Sequence, residues 1–256
     1  AVWGLIPGWT NAKGGREYPV VCMVANLAKS TGGKPATMKH DDVVTFFHEL
    51  GHAYHGLLSR TQFPKFHGTA VARDFVEAPS QMLENWCWTP DQLRVISSHA
   101  ETGKPLSDDL IDKIIQSRKI NQGLFNLRQL FFGKYDMLLH TTKHDLSDDE
   151  MSKLWCQLRE ETSLMSIGDE VVGGQSGFAH IAGGYSAGYY GYLWSQVFSA
   201  DMFATVFEKD PMSRAAGQRY RECILQPGGS REEMDSLVAF LGRKPTNDAF
   251  LKSLLG

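Results

Sequence analysis

Apolar and polar positions follow two rhythms along this chain. Over residues 1–37 they come in short blocks. Val2 to Ile6 is apolar, Gly14-Gly15 marks a turn, and 18–27 is rich in Val, Met and Ala, so both apolar runs predict strands. Thr31-Gly32-Gly33-Lys34-Pro35 then breaks the chain, and it is not a phosphate loop because the rest of that pattern is missing. Beyond it the spacing is helical. Residues 38–90 predict two helices, and 91–164 a helical stretch with segments over 91–102, 107–122 and 124–142. Ser147-Asp148-Asp149-Glu150 forms a capping box that opens another helix to residue 164. The 124–142 segment has apolar side chains on several faces, which predicts a largely buried helix. Residues 165–184 are irregular and rich in glycine. Helices are predicted again within 185–256, over 185–209, over 213–225, from Ser230 to Leu241, and after Thr246. The expected fold is mainly α, with a small β-sheet near the N-terminus beside the helix that carries His48.

That helix contains Phe46-Phe47-His48-Glu49-Leu50-Gly51-His52. Four residues are about 1.1 helical turns, so His48 and His52 share a face and both imidazoles can reach one ion. Glu49 lies one position round, placed to hold a water on that ion rather than to ligate it. Asp41 and Asp42 supply a cap and first-turn negative charge. Two histidines can also share a face by chance, and the five-residue pattern alone leaves that open.

A third ligand is available downstream. Residues 73–81, Arg-Asp-Phe-Val-Glu-Ala-Pro-Ser-Gln, predict a second helix with Thr69 as N-cap, and a Gly/Pro-containing loop at 63–68 lets it turn back. Glu77 sits there among Phe75, Val76, Ala78 and Pro79, where a carboxylate needs a partner. A solvated helix glutamate is the alternative. Two His, one carboxylate and an open fourth position would make a catalytic zinc site rather than a closed structural one. Pro79 inside a helix costs about 3 kcal/mol and predicts a bend just after Glu77; the alternative is two shorter helices. Gly51 costs about 1 kcal/mol relative to Ala and predicts close approach of another backbone or of substrate.

Composition narrows the classes. The chain has 256 residues, 42% hydrophobic and 21% charged, ample for its own core. Net charge is -3 with no Lys/Arg block, which argues against nucleic acid as a partner. No apolar run approaches the ~20 residues of a membrane span, so no membrane partner is expected. Cys22, Cys87, Cys156 and Cys223 are widely spaced, with no C-x-x-C, which fits a reducing compartment and argues against cysteine-bound zinc.

Four stretches together resemble the thimet oligopeptidase, neurolysin and saccharolysin family of zinc metallopeptidases. They are His48-Glu49-Leu50-Gly51-His52; Arg73 through Glu77 and Pro79 to Glu84-Asn85-Trp86; His180-Ile181-Ala182-Gly183-Gly184-Tyr185, running on to Tyr192-Leu193-Trp194; and Pro227-Gly228-Gly229-Ser230. They span essentially the whole chain. The resemblance implies a zincin-like catalytic domain of the neurolysin type over 1–256 and one Zn2+ on His48, His52 and Glu77. It also implies Glu49 as general base, short peptides as substrates, a monomer, and a cytoplasmic or mitochondrial location. Relatives of this family are more than twice as long, so the chain is expected to be a C-terminal catalytic portion.

Tyr185, Tyr189 and Tyr192 fall at i, i+4 and i+7 on the predicted 185–209 helix. Aromatic residues at that spacing are commonly core. The resemblance instead gives these phenols and His180 as a group to substrate contact and transition-state stabilisation; within the group we assign His180 and Tyr192 to the oxyanion and Tyr185 and Tyr189 to the peptide. The 165–184 stretch is then expected to be a flexible flap, with a passive linker as the alternative. Asp74 and Ser80, each three residues from Glu77, are candidates to orient that ligand. His55, nearly two turns beyond His48, is expected in packing or at the surface.

Several positions depart from the family pattern. Leu50 stands where Phe is common, His67 where Ser is, Ala179 where Gly is, and Gly188 where Gln is. These touch flap and subsites rather than zinc. Phe178-Ala179-His180 and Ala187-Gly188-Tyr189-Tyr190 also resemble the dipeptidyl carboxypeptidases, a rival reading. A non-catalytic peptide-binding fragment is the rival outside enzymes.

Overall fold

The computed structural model describes every residue except Lys34, Ile167, Asp169 and Gly256. Part of the 31–35 break and part of the 165–184 stretch therefore lie outside the described residues. In chain order the elements are β1 (Val2–Ile6), β2 (Trp9–Thr10), β3 (Arg16–Glu17), β4 (Val20–Met23), α1 (His40–Leu58), α2 (Ala78–Glu84), α3 (Pro90–Ile96), α4 (Asp108–Ser117), α5 (Gln122–Thr141), α6 (Asp148–Ser163), α7 (Gly191–Met202), α8 (Arg214–Tyr220), α9 (Glu233–Leu241) and α10 (Asp248–Leu255). The described chain is mainly helical with two small antiparallel sheets. Among the described residues no helix is long and apolar enough to cross a membrane. Two compact units are present: Ala1–Ile120 with Gln196–Gly256, and Asn121–Ser195.

In the first unit β1 pairs with β4, Val2 opposite Met23 and Trp3 opposite Cys22, and β2 pairs with β3. The predicted 18–27 strand shortens to four residues. Pro19 has no N–H to give a ladder, and β1 offers only five residues to pair with. β4 lies half-buried on α1, where a Cβ on Gly56 would come 2.8 Å from Val21 Cγ2. α1 starts at His40 with Lys39 as N-cap, one position before the aspartates expected to cap it; Asp42 Oδ2 reaches back to accept the Lys39 N–H at 3.0 Å, and Asp41 and Asp42 supply the expected first-turn charge.

The helix predicted over 73–81 is not one helix. Residues 72–77 form a turn in which Phe75 and Val76 both donate to the Ala72 carbonyl, and α2 begins at Ala78 with Glu77 as its N-cap. Pro79 thus sits in the first turn, where its missing N–H costs nothing, so the predicted bend and its penalty do not arise. Thr69 is not its cap. Phe75, Ala78 and Met82 join Phe198, Met202 and Leu237 in the core of this unit.

The second unit packs α5 on α6. The capping box is present, with the Ser147 N–H donating to Glu150 Oε2 at 2.9 Å and Glu150 N–H to Ser147 Oγ at 3.4 Å. Phe131, Tyr135, Trp155, Leu158, Phe178 and Tyr189 form its core. The expectation that α5 is largely buried fails: Leu124, Phe125, Leu130 and Leu138 are exposed, and burial is confined to Phe131 and Tyr135 on one face and Gly133 and Asp136 on another. The predicted 185–209 helix also starts late. Residues 185–190 are a turn, and α7 begins at Gly191 and runs on through a π-helical turn at Phe203–Phe207.

Candidate metal centre and aromatic cluster

Helices α1 and α2 cross at Gly51. A Cβ there would lie 2.5 Å from Ser80 Cα and 2.8 Å from the Pro79 carbonyl oxygen, so only glycine lets the two backbones touch. The predicted close approach is therefore to backbone. It brings the N-cap of α2 against the face of α1 that carries both histidines.

Three ligand atoms converge there. Glu77 Oε2 lies 3.2 Å from His48 Nε2 and 3.1 Å from His52 Nε2, and the three donors lie within 4.8 Å of one another. Two ligands held at 2.0–2.1 Å with a tetrahedral angle stand roughly 3.3 Å apart, so the spacing fits a zinc ion. Glu77 is almost fully buried. Burial opposes its charge, but the hydrogen bonds from His48 and His52 win and hold its carboxyl far below the usual carboxylate range.

His48 shows the same hunger for positive charge. Its Nδ1 donates to Glu84 Oε1 at 2.7 Å, which leaves Nε2 as the ring nitrogen that faces the centre. Burial lowers the pKa of this imidazole. The hydrogen bonds to Glu77 and Glu84 outweigh that, and the pKa is pushed up to about 10. Two carboxylates around two imidazoles thus form a donor set that binds a proton tightly when no metal competes, and such a set suits a divalent cation. Ser80, fully buried and so not a helix-surface group, places Oγ 3.1 Å from Glu77 Oε2 and 2.9 Å from the Glu77 carbonyl oxygen; of the two candidates it is the one seen to hold Glu77. Asp74 lies half-buried in the turn before Glu77.

Glu49 stands one position round α1 from His48, half-buried, with Oε1 3.1 Å from the Ala1 ammonium. His55 is fully buried, so it packs and is not at the surface. Both its ring nitrogens lack a hydrogen-bond partner among the described residues, and burial pushes its pKa down to about 3. Sequence reasoning missed Glu84 as a partner of His48. The available signal was its place seven residues after Glu77, two turns along α2.

The second unit gathers the other candidates. His180 lies 5.3 Å, 5.8 Å and 5.9 Å, ring centroid to centroid, from Tyr189, Tyr185 and Tyr192. Tyr185 stacks on Tyr192 at 5.0 Å, and Tyr189 meets Tyr192 at 5.0 Å. The four rings make one cluster although Tyr185 and Tyr189 are not helical. Burial pushes the Tyr189 phenol up to about 12, and its hydroxyl donates to Gln129 Oε1 at 2.8 Å. Before the cluster, Gly174 is pressed on the Trp155 indole and Phe178 stacks on Phe132 at 4.6 Å.

The sequence profile of Peptidase family M3 matches residues 3–255. The chain belongs to this family. The M3 chain is 48% identical over 241 residues to saccharolysin of Saccharomyces cerevisiae, covering 93% of this chain and 34% of that protein. It is 41% identical over 245 residues to oligopeptidase A of Escherichia coli, covering 94% and 36%. It is 36% identical over 245 residues to the organellar oligopeptidase A, chloroplastic/mitochondrial, of Arabidopsis thaliana, covering 92% and 30%. The M3 chain thus spans about a third of the length of these curated relatives.

Proposed function

We propose that this chain carries the catalytic centre of a zinc-dependent endopeptidase for short oligopeptides, in a zincin-like domain of the neurolysin type over 1–256. The observation behind the reading is the convergence of His48 Nε2 and His52 Nε2 on Glu77 Oε2 at 3.2 and 3.1 Å, one residue from Glu49. His48, His52 and Glu77 would hold one zinc ion. Zinc in such a site lowers the pKa of water to about 7 and polarises a peptide carbonyl.

Glu49 accepts the proton of the attacking water and returns it to the departing amine nitrogen. Glu84 and Ser80 keep His48 and Glu77 oriented. His180 and Tyr192 donate to the developing oxyanion, while Tyr185 and Tyr189 hold the peptide. The Tyr189 hydroxyl gives its one hydrogen to Gln129 Oε1, so this residue would meet the peptide through its ring rather than as a donor. The free thiols Cys22, Cys87, Cys156 and Cys223 suit a reducing compartment, the cytoplasm or a mitochondrial matrix.

The test is cleavage of an internally quenched peptide blocked at both ends. Wild-type protein should cut it, a zinc chelator should abolish the cut, and Glu49→Gln should lower kcat by at least ~10²-fold. Cleavage only when the peptide C-terminus is free would replace the endopeptidase by a dipeptidyl carboxypeptidase. Zinc-loaded, folded protein that cuts neither would refute the peptidase reading for this chain.

A further inference from the structure

One face of α5 serves the segment that carries the tyrosines. Gln129, Gly133, Asp136 and His140 recur at steps of four, three and four residues, which lines them up in one stripe. Gln129 takes the Tyr189 hydroxyl. A Cβ on Gly133 would stand 3.5 Å from Tyr190 Cα, so helix and turn meet there. Asp136 is fully buried. Its Oδ1 accepts the Ala187 N–H and its Oδ2 the Tyr189 N–H, each at 2.9 Å. His140 Nδ1 lies 3.0 Å from Asp136 Oδ1 and 2.8 Å from the Asp136 carbonyl oxygen. Both neighbours are acceptors, so Nδ1 carries the hydrogen and steadies the carboxylate.

Ala187 gives this arrangement its significance. Its φ is 51°, in the left-handed region that an alanine seldom enters. Such a residue persists only where its surroundings over-determine it. Residue 187 is neither glycine nor asparagine, the residues that enter that region readily, whereas the carboxylate that receives the Ala187 N–H holds it there. A core that needed only packing would place an apolar residue at 136, since a buried carboxylate is costly unless hydrogen-bonded.

We propose that Asp136, steadied by His140, is the positioning residue of the tyrosine turn. By fixing the amides of Ala187 and Tyr189 it sets where the Tyr185, Tyr189 and Tyr192 phenols stand, and hence how well they serve the peptide. The catalytic consequence rests on the peptidase reading; the structural consequence does not.

The test compares wild type with Asp136→Asn, whose amide group turns a donor toward one of the two N–H groups. Gly123→Ala on the same helix, with open space around its Cβ, is the control. Two quantities are read: amide hydrogen exchange over 182–194, and kcat and KM on the doubly blocked peptide, each also in a Tyr192→Phe background. Exchange at Ala187 and Tyr189 should quicken at least ~10-fold while α1 keeps its protection. kcat should fall about 10²-fold, as for a misplacement of about 1 Å. In the Tyr192→Phe background the fall should shrink, because both changes act through one phenol group. His140→Ala should shift exchange and kcat the same way by less, and it decides the matter if Asp136→Asn does not fold.

Unchanged exchange over 182–194, loss of protection in α1 as well, or an undiminished kcat loss in the Tyr192→Phe background would each overturn the proposal. If the wild type cuts nothing, the peptidase reading falls, and exchange alone decides whether Asp136 positions the turn.

Discussion

Gly51→Ala tests the geometry on which the metal centre depends. The added Cβ would stand 2.5 Å from Ser80 Cα, 2.8 Å from the Pro79 carbonyl oxygen and 3.0 Å from the Ser80 nitrogen. All three are backbone atoms, so no rotamer change relieves the contact. Ordinary contact begins at 3.4 Å, and the helices must part by the difference, about 0.9 Å. Forced overpacking of this kind costs about 1–3 kcal/mol. Alanine returns up to about 1 kcal/mol in helix propensity. The net loss of about 0–2 kcal/mol, at roughly 2–4 °C in Tm per kcal/mol for a domain of this size, lowers Tm by up to about 8 °C. The same parting moves Glu77, anchored beside Ser80, away from His48 and His52, whereas ligand distances tolerate only about ±0.2 Å. Zinc affinity, measured by competition with a chromogenic chelator, should fall at least ~10-fold. Gly217→Ala, in α8 with nothing near its Cβ, should leave Tm equal or higher and zinc affinity unchanged. If Gly51→Ala keeps both the Tm and the zinc affinity of the wild type, the α1–α2 contact described here is wrong.

Three further outcomes follow from the same residues. Glu84→Gln removes the carboxylate that holds His48 Nδ1 and should weaken zinc about 10- to 100-fold in the same competition assay, without loss of helix content by circular dichroism. Zinc must displace the proton that His48 holds up to about 10 in the metal-free protein. Calorimetry at pH 8 in buffers of different ionisation enthalpy should therefore show about two protons released per zinc, about one from His48 and about 0.9 from a water brought to a pKa of about 7, where two ordinary imidazoles with the same water would release about one in all. His55 stays neutral in the folded protein down to about pH 3, whereas in the unfolded chain it protonates near 6.5. The unfolded state therefore binds more protons between these values, and stability falls as pH drops through that window, by about 1.4 kcal/mol per unit. Urea denaturation at pH 6.5, 5.5 and 4.5 should give a steeper loss for wild type than for His55→Gln; parallel slopes would count against the buried neutral imidazole.

The group of His48, His52 and Glu77 was readable because the spacing of its two histidines is local and periodic. His48 and His52 are one turn apart on a helix that the flanking charges also announce, and Gly51 between them signalled a backbone contact. The errors arose where a partner distant in sequence decides. Pro79 read as a helix interruption because nothing local says where α2 starts. In the structure the helix starts just before it, and the same residue becomes a favourable first-turn proline with Glu77 as N-cap. In the sequence Glu84 shows no role beyond its place in the family-like stretch, because that role depends on α1 lying alongside α2, a fact of packing rather than of periodicity.

Helix α5 shows the limit from the other side. Its apolar residues surround the axis, and counting them predicts burial all round, yet Leu124, Phe125 and Leu130 are exposed. Beside the face that carries Phe131 and Tyr135, a second covered face is marked by buried Gly133 and Asp136 and half-buried Gln129, residues that hydrophobic patterning scores as solvent-facing or neutral. They are inside because each answers a group on the 185–190 turn: a phenol, a bare backbone, a pair of amide hydrogens. A turn that holds an alanine at φ 51° cannot be inferred from its own residues, and neither can the polar stripe that supports it. Each explains the other only once both are seen. Polar residues at helical spacing within an otherwise apolar segment are therefore the sequence feature that most repays a search for a buried backbone partner.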